Sequence, residues 1–144
     1  MKFNLIVDKS AEPSVTVVCS KVDDTVCQIE RLCNDAKQDS LWGYAGEEVE
    51  LLHPSDIVCF FTDGGVVSCW VGSKKYLIKQ RIKVLTEMLP CDFVKINQGC
   101  ICNVKHVKKF TVSVGGSLQV VFDNGYSDYV SRREITSVKR RFGL

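Results

Sequence analysis

The chain has 144 residues, 45% apolar and 25% charged, values that exclude a disordered, collagen-like or coiled-coil protein. Its net charge is only +2, but residues 47–72 carry no Lys or Arg, whereas residues 73–144 hold 14 basic and 5 acidic groups, net +9. So basic a segment reads either as the electrostatic footprint of a polyanion binder or as a lysine-rich solvated face, and no apolar run approaches a membrane span.

Phe3, Leu5 and Val7 alternate, as do Val15, Val17 and Cys19, so strands are expected over 3–7 and 15–19, joined through Glu12-Pro13. Thr25-Val26-Cys27-Gln28 has the form of a capping box. Val26, Ile29, Cys33 and Ala36 follow at helical spacing, which predicts a helix over 25–37. Two short strands with a turn at Gly46 fill 41–52. A turn at 53–56 leads to an apolar strand over 57–61. Asp63-Gly64-Gly65 signals a hairpin into a strand over 66–71. Ile78, Ile82, Leu85 and Leu89 predict a helix over 76–89, stopped by Pro90. Strands are expected over 93–96, 100–104, 107–114, 117–122 and 126–130, with turns at Gly115-Gly116 and Asp123-Asn124-Gly125.

Ser131-Arg132-Arg133-Glu134 reads as a second capping box, and Ile135, Val138 and Phe142 extend it into a helix over 132–142. Two arginines in a first helical turn oppose the positive end of the helix dipole, each costing about 0.3–1 kcal/mol. Positions that break a local rule tend to serve function. This pair could grip phosphate or a guanine edge. Alternatively Glu134 and nearby carboxylates neutralise it.

The N-terminus has one basic residue before Asp8 interrupts the apolar stretch, so no secretion signal fits and a cytoplasmic protein is expected. In that reducing compartment Cys19, Cys27, Cys33, Cys59, Cys69 and Cys100 or Cys102 read as small apolar fillers, with Cys91, beside Pro90, the most exposed. No C-x-x-C occurs and His53 and His106 are isolated, so no metal or cofactor is expected.

One block, Phe93-Val94-Lys95-Ile96-Asn97-Gln98-Gly99-Cys100-Ile101-Cys102-Asn103, is distinctive. Asp56–Phe61, Leu89-Pro90, Asn124-Gly125 and Val130-Ser131-Arg132-Arg133 accompany it. With these motifs, residues 47–144 resemble the LytTR family of bacterial DNA-binding domains. Residues 1–46 are too short for a receiver domain, so the likeness is to the free-standing members. It implies a mainly β fold, an elongated stack of small antiparallel sheets with short helices, preceded here by a β-β-α extension over 1–46. It implies a transcriptional regulator whose loops enter successive major grooves of duplex DNA.

By the same resemblance, base contacts fall on Gln98 and Arg133, and phosphate contacts on Lys95, Gly99, Ser131 and Arg132. Lys74, Lys75, Lys108 and Lys109 would add phosphate contacts. Glutamine can pair bidentately with adenine N6 and N7. Lys95 stands where the family has arginine and Gly99 where it has serine, and the turn Asp63–Gly65 carries no reading side chain. Asn103 reads as structural. The partners implied are double-stranded DNA with paired half-sites, a second copy of the chain as homodimer and, from free-standing relatives, a small membrane inhibitor protein.

Two other readings come from the residues. Phe110, Phe122, Tyr126 and Tyr129 could stack the bases of RNA or single-stranded DNA, or, at alternate strand positions, form core. Cys91 and His106 could make a cysteine hydrolase, but no third orienting residue is identifiable, and no enzyme is expected.

Overall fold

The computed structural model describes residues 2, 4–12, 14–34 and 40–144. Helix α1, Asp24–Asn34, precedes β1 (Leu41–Ala45), β2 (Glu48–Leu52), β3 (Ile57–Asp63), β4 (Val66–Val71) and β5 (Lys74–Ile78). Helix α2, Ile82–Met88, is followed by β6 (Phe93–Asn97), β7 (Cys100–Asn103), β8 (Val107–Val112), β9 (Leu118–Phe122) and β10 (Ser127–Val130). Helix α3, Ile135–Phe142, closes the chain. The first seven strands form one antiparallel sheet, ordered β2-β1-β5-β4-β3-β7-β6, and the last three a second, ordered β10-β9-β8.

The apolar run Ile57–Phe61 follows from its place near the middle of the large sheet. Strands covered on both faces lose polar alternation. Cys59 and Phe61 of β3, with Cys100 and Cys102 of β7, face the second sheet and meet Leu118, Val120, Phe122, Val130 and Val138. Ile57, Phe60 and Ile101 face the other way, toward Tyr76, Ile78 and Leu85 of α2. A register shift between Ile57 and Cys59 lets consecutive Val58 and Cys59 enter the same core. In β1, Gly43 leaves room for neighbours: a Cβ there would lie 2.6 Å from Leu52 Cδ1 and 2.9 Å from Tyr76 Cβ.

Several expectations change. The helix expected over 76–89 begins only at Ile82, because Tyr76 and Ile78 alternate with exposed Leu77 and pair in register with Cys69 and Val67 of β4. The boundary at residue 46 falls inside the β1–β2 hairpin. β1 lies between β2 and β5, so the sheet begins at Leu41. No strand forms among the described residues of 2–20. Leu5 is 74% exposed, Ile6 89% and Val18 94%, with no sheet face to cover them. Phe3 and Pro13 lie outside the described residues.

Helix α1 is capped by Asp23, whose Oδ1 accepts from Val26 N–H at 3.0 Å, not by Thr25. Residues 35–37 of the expected helix lie outside those described. Cys59, Cys69, Cys100 and Cys102 are buried as expected, while Cys19 and Cys33 are exposed. Cys27 is no free filler: it is bonded to half-buried Cys91, their Cα atoms 5.8 Å apart. Burial pushes the thiols of Cys69 and Cys102 up to about 12, so both stay protonated and inert.

Candidate nucleic-acid interface

Strand directions put the β3–β4 turn (63–66) and the β6–β7 turn (97–100) at the same end of the large sheet, since Phe61 pairs with Cys100. Thr62 N–H donates to the carbonyl of Gly99 at 2.8 Å, joining the two turns. The second sheet is joined to that end by β10. Ser131 N–H donates to Ile96 O at 2.9 Å, and Asn97 Nδ2 donates to Tyr129 O at 2.8 Å and to Asp128 Oδ1 at 3.1 Å. Asn97 Oδ1 accepts from Gly99 N–H at 2.9 Å. Asn97 is thus a buried polar residue with donors and acceptor satisfied, and its bonds fix the turn that carries exposed Gln98.

Beyond β10 the chain makes one turn before α3. Glu134 N–H and Ile135 N–H donate to the carbonyl of Ser131 at 2.9 and 3.1 Å. No side chain caps α3, so the expected capping box does not form and the helix starts at Ile135, three residues later than 132. Arg132 and Arg133 therefore sit in the turn ahead of the helix, and the argument from helix-dipole strain does not apply to them. Both are exposed, and among the described residues no carboxylate pairs with either. Glu134 does not neutralise them.

Gln98 and Gly99 thus lie in the turn, and Ser131 beside Ile96 just before it, on the edge formed by β6; Arg132 and Arg133 follow directly after Ser131, and half-buried Lys95 lies two residues before the turn. Lys75 reaches toward the same end of the large sheet: its Nζ lies 3.8 Å from Asp63 and 5.3 Å from the centre of the Phe61 ring. Lys74 does not. It begins β5 at the far end and is held between Glu50, at 2.8 Å, and Glu48, at 3.0 Å. The hydrogen bonds it donates, first to Glu50, then to Glu48 and Tyr76, raise its pKa and keep the ammonium charged. Lys108 and Lys109 are exposed near the start of β8, also away from Gln98.

The far end has its own clamp. His106 bonds Asp123 Oδ2 through Nδ1 at 2.8 Å and the carbonyl of Ser55 through Nε2 at 2.9 Å. Asn124 Nδ2 donates to Gly72 O at 2.8 Å. Asn103 is structural as expected: Nδ2 donates to Ile57 O at 2.9 Å and Oδ1 accepts from Lys105 N–H at 3.1 Å. With Cys91 bonded to Cys27 and both ring nitrogens of His106 engaged, the hydrolase pair is not assembled. The aromatic platform is not assembled either. Phe122 is fully buried, Phe110 packs on Phe142, and Tyr126 packs on Phe61, Trp70 and Phe122; of the four only Tyr129, 61% exposed, stands free.

Sequence reasoning missed Asn97, Asp128 and Thr62, whose hydrogen bonds fix the turn that carries Gln98 and join it to β10 and to the β3–β4 turn. Asn97-Gln98-Gly99 does hold a signal, since an asparagine two residues before a glycine commonly closes an Asx turn.

Residues 47–143 match the family described as LytTr DNA-binding domain. Proteins of Staphylococcus aureus strains MSSA476 and MW2, both named as HTH-type transcriptional regulators, are each 27% identical over 146 residues, covering 100% of this chain and 99% of theirs. A solved LytTr DNA-binding domain from Bacillus cereus superposes with a TM-score of 0.68 at 17% identity, covering 74% of this chain and 99% of that one. Among the described residues of this chain no α-helix directly follows another, so the helix-turn-helix in the names of those relatives has no counterpart among them.

Proposed function

This chain belongs to the family of LytTr DNA-binding domains, and its class of function is DNA binding in transcription regulation; from that premise we propose that it reads duplex DNA sequence-specifically with the edge that carries Gln98 and Arg133. One observation supports this reading: the bonds of Asn97 and Ser131 tie the turn that carries exposed Gln98 to the segment that leads into Arg132 and Arg133, which have no carboxylate partner among the described residues. Gln98 suits an adenine edge and Arg133 a guanine edge in the major groove. Ser131, Arg132, Lys95 and Lys75 surround them as phosphate contacts, whereas the Gly99 N–H is already engaged by Asn97 Oδ1. Lys108 and Lys109 contribute to the long-range field, and Lys74 least, being held by two carboxylates.

The chain acts as a homodimer on paired half-sites, in the cytoplasm, and performs no catalysis. No helix among the described residues is long and apolar enough to cross a membrane. A small membrane inhibitor as partner rests on the likeness to free-standing relatives. Selection of bound sequences from a random duplex library tests the whole reading. Recovered sites should share a motif, occur in pairs, and outcompete single-stranded DNA and RNA of the same sequence. Recovery of no motif, or equal competition by single strands, overturns it.

A further inference from the structure

Helix α1 is fastened to the sheet domain at one spot. Among its described side chains only Cys27 is fully buried. Its sulfur is bonded to that of Cys91, in the turn between α2 and β6. Arg141, in the last turn of α3, faces the same spot: Nη2 lies 3.6 Å from Cys27 Sγ and donates to Cys91 O at 3.1 Å, and Nη1 donates to Val22 O at 3.2 Å. Glu30 accepts from Cys91 N–H at 3.1 Å, and Arg31 pairs with buried Asp92. An 11-residue helix is too short to persist undocked in water. The rest of the extension offers it nothing, being exposed from residue 4 to 12 and from 14 to 25.

We propose that Cys27 and Cys91 form a reversible thiol–disulfide latch, exchanged by a dithiol–disulfide couple, that docks α1 when oxidised and releases it when reduced. This goes beyond the DNA-binding reading and does not depend on it. In reduction a dithiol's thiolate attacks Cys91 Sγ, which belongs to the less buried residue of the pair. The Cys27–Cys91 bond breaks, a mixed disulfide forms on Cys91, and the electron pair leaves on Cys27 Sγ. A guanidinium beside that sulfur stabilises the departing thiolate, and a better leaving thiolate speeds exchange. The reductant's second thiolate then attacks its own sulfur in the mixed disulfide. That step closes the reductant's disulfide and frees Cys91. The dithiol loses two electrons and the latch gains two. Oxidation is the reverse.

The test uses the full chain with Cys19→Ser and Cys33→Ser, which removes the exposed free thiols and leaves the pair and the four buried ones. It is equilibrated with oxidised glutathione or with dithiothreitol. Peptide mapping of the oxidised sample should find Cys27 joined to Cys91. Reduction should raise amide exchange over 26–34 on the order of tenfold or more and leave β3 and β7 protected. Reoxidation should restore α1. Adding Cys91→Ser should give the released pattern under both conditions, and the reduced parent gives the same reading should that variant not fold. No Cys27–Cys91 link, or α1 exchange indifferent to reduction, overturns the proposal. Loss of protection throughout the chain also overturns it, since the bond would then be a staple of the whole fold.

Discussion

Asn97 donates to the carbonyl of Tyr129 at 2.8 Å, so the turn bearing Gln98 and the strand leading to Arg133 are one rigid unit although 32 residues separate the two bonded groups. The same amide group donates to Asp128 and accepts from Gly99 N–H. Asn97→Ala strands buried polar groups, a loss of about 1–3 kcal/mol in unfolding free energy by urea titration. It should also weaken specific DNA binding without touching DNA, read as a smaller ratio of specific to scrambled duplex affinity. An unchanged ratio would mean that the two loops hold their places without this bond.

Gly99 has no conformational need to be glycine. A Cβ would meet Thr62 Cβ at 3.5 Å, ordinary contact. Gly99→Ser should therefore leave the melting temperature within a degree or two, about 0.5 kcal/mol. It places a hydroxyl on the edge, where one hydrogen bond to phosphate adds about 0.5–1.5 kcal/mol. Fluorescence anisotropy should show tighter binding to specific and scrambled duplexes alike. Weaker binding would show that backbone, not side chain, fills that space against DNA.

The sheet domain is legible where period and turn chemistry agree, as in β3, β4, β8 and β9, each bounded by a glycine-containing hairpin turn or by Pro54. Reasoning from period fails where two periods overlap: Ile78 and Ile82 are four apart as on a helix, yet the first ends β5 and the second begins α2. It fails again at 15–19, where alternation is clear but the segment pairs with no strand of either sheet. The motifs single out Gln98 and Arg133 as candidate readers. The tie between the segments that carry them was not legible, because Asn97 to Tyr129 is a long-range bond that no local pattern encodes. Lys74 looked like a free cation because Glu48 and Glu50 reach it only after β1 is inserted beside β5.

β1 lies inside the large sheet, so where the chain is cut decides whether it folds. A fragment starting at Ser40 keeps Leu41, buried with Leu52, Tyr76 and Ile78, and should melt cooperatively and bind the selected site. A fragment starting at Glu47 leaves β2 without its partner and opens the edge of β5. Removing Leu41 alone from that cluster is worth about 2–5 kcal/mol. The shorter fragment should melt well below the longer one or aggregate; circular dichroism melts decide. Equal melting temperatures would place the domain boundary at residue 46 after all.

His106 makes stability depend on pH. Burial opposes its protonation, but the Ser55 carbonyl and the Asp123 carboxylate outweigh that and raise its pKa above the ordinary value of about 6.5. A group whose folded pKa is raised stabilises the fold fully below its unfolded pKa, and loses that contribution as pH rises through the folded value. The wild type should therefore lose stability relative to His106→Gln as pH climbs from about 6.5 into the alkaline range. Urea titrations of both chains across that range read the difference, and NMR titration of the His106 ring locates the midpoint. A gap that widens with pH would reverse the sign and exclude the protonated clamp.

The sharpest separation is between Arg133 and Lys109. Arg133 stands exposed in the turn before α3, with no carboxylate partner among the described residues, two residues after Ser131, which is bonded to Ile96. Its planar fork can hold O6 and N7 of one guanine. Arg133→Ala should cost about 1–3 kcal/mol on the selected site and relax preference at one base pair, with little change on a scrambled duplex. Gln98→Ala should do the same at a different base pair, because the two side chains leave the edge from different loops. Lys109 lies on β8 toward the opposite end and presents a single point charge. Lys109→Ala should weaken all duplexes by one factor and lower the slope of log K against log salt by about one unit. Each variant is titrated on both duplexes at several salt concentrations, with melting curves to confirm folding. If Arg133→Ala lowered both affinities by the same factor, Arg133 would be a phosphate contact, and sequence would be read elsewhere on the edge.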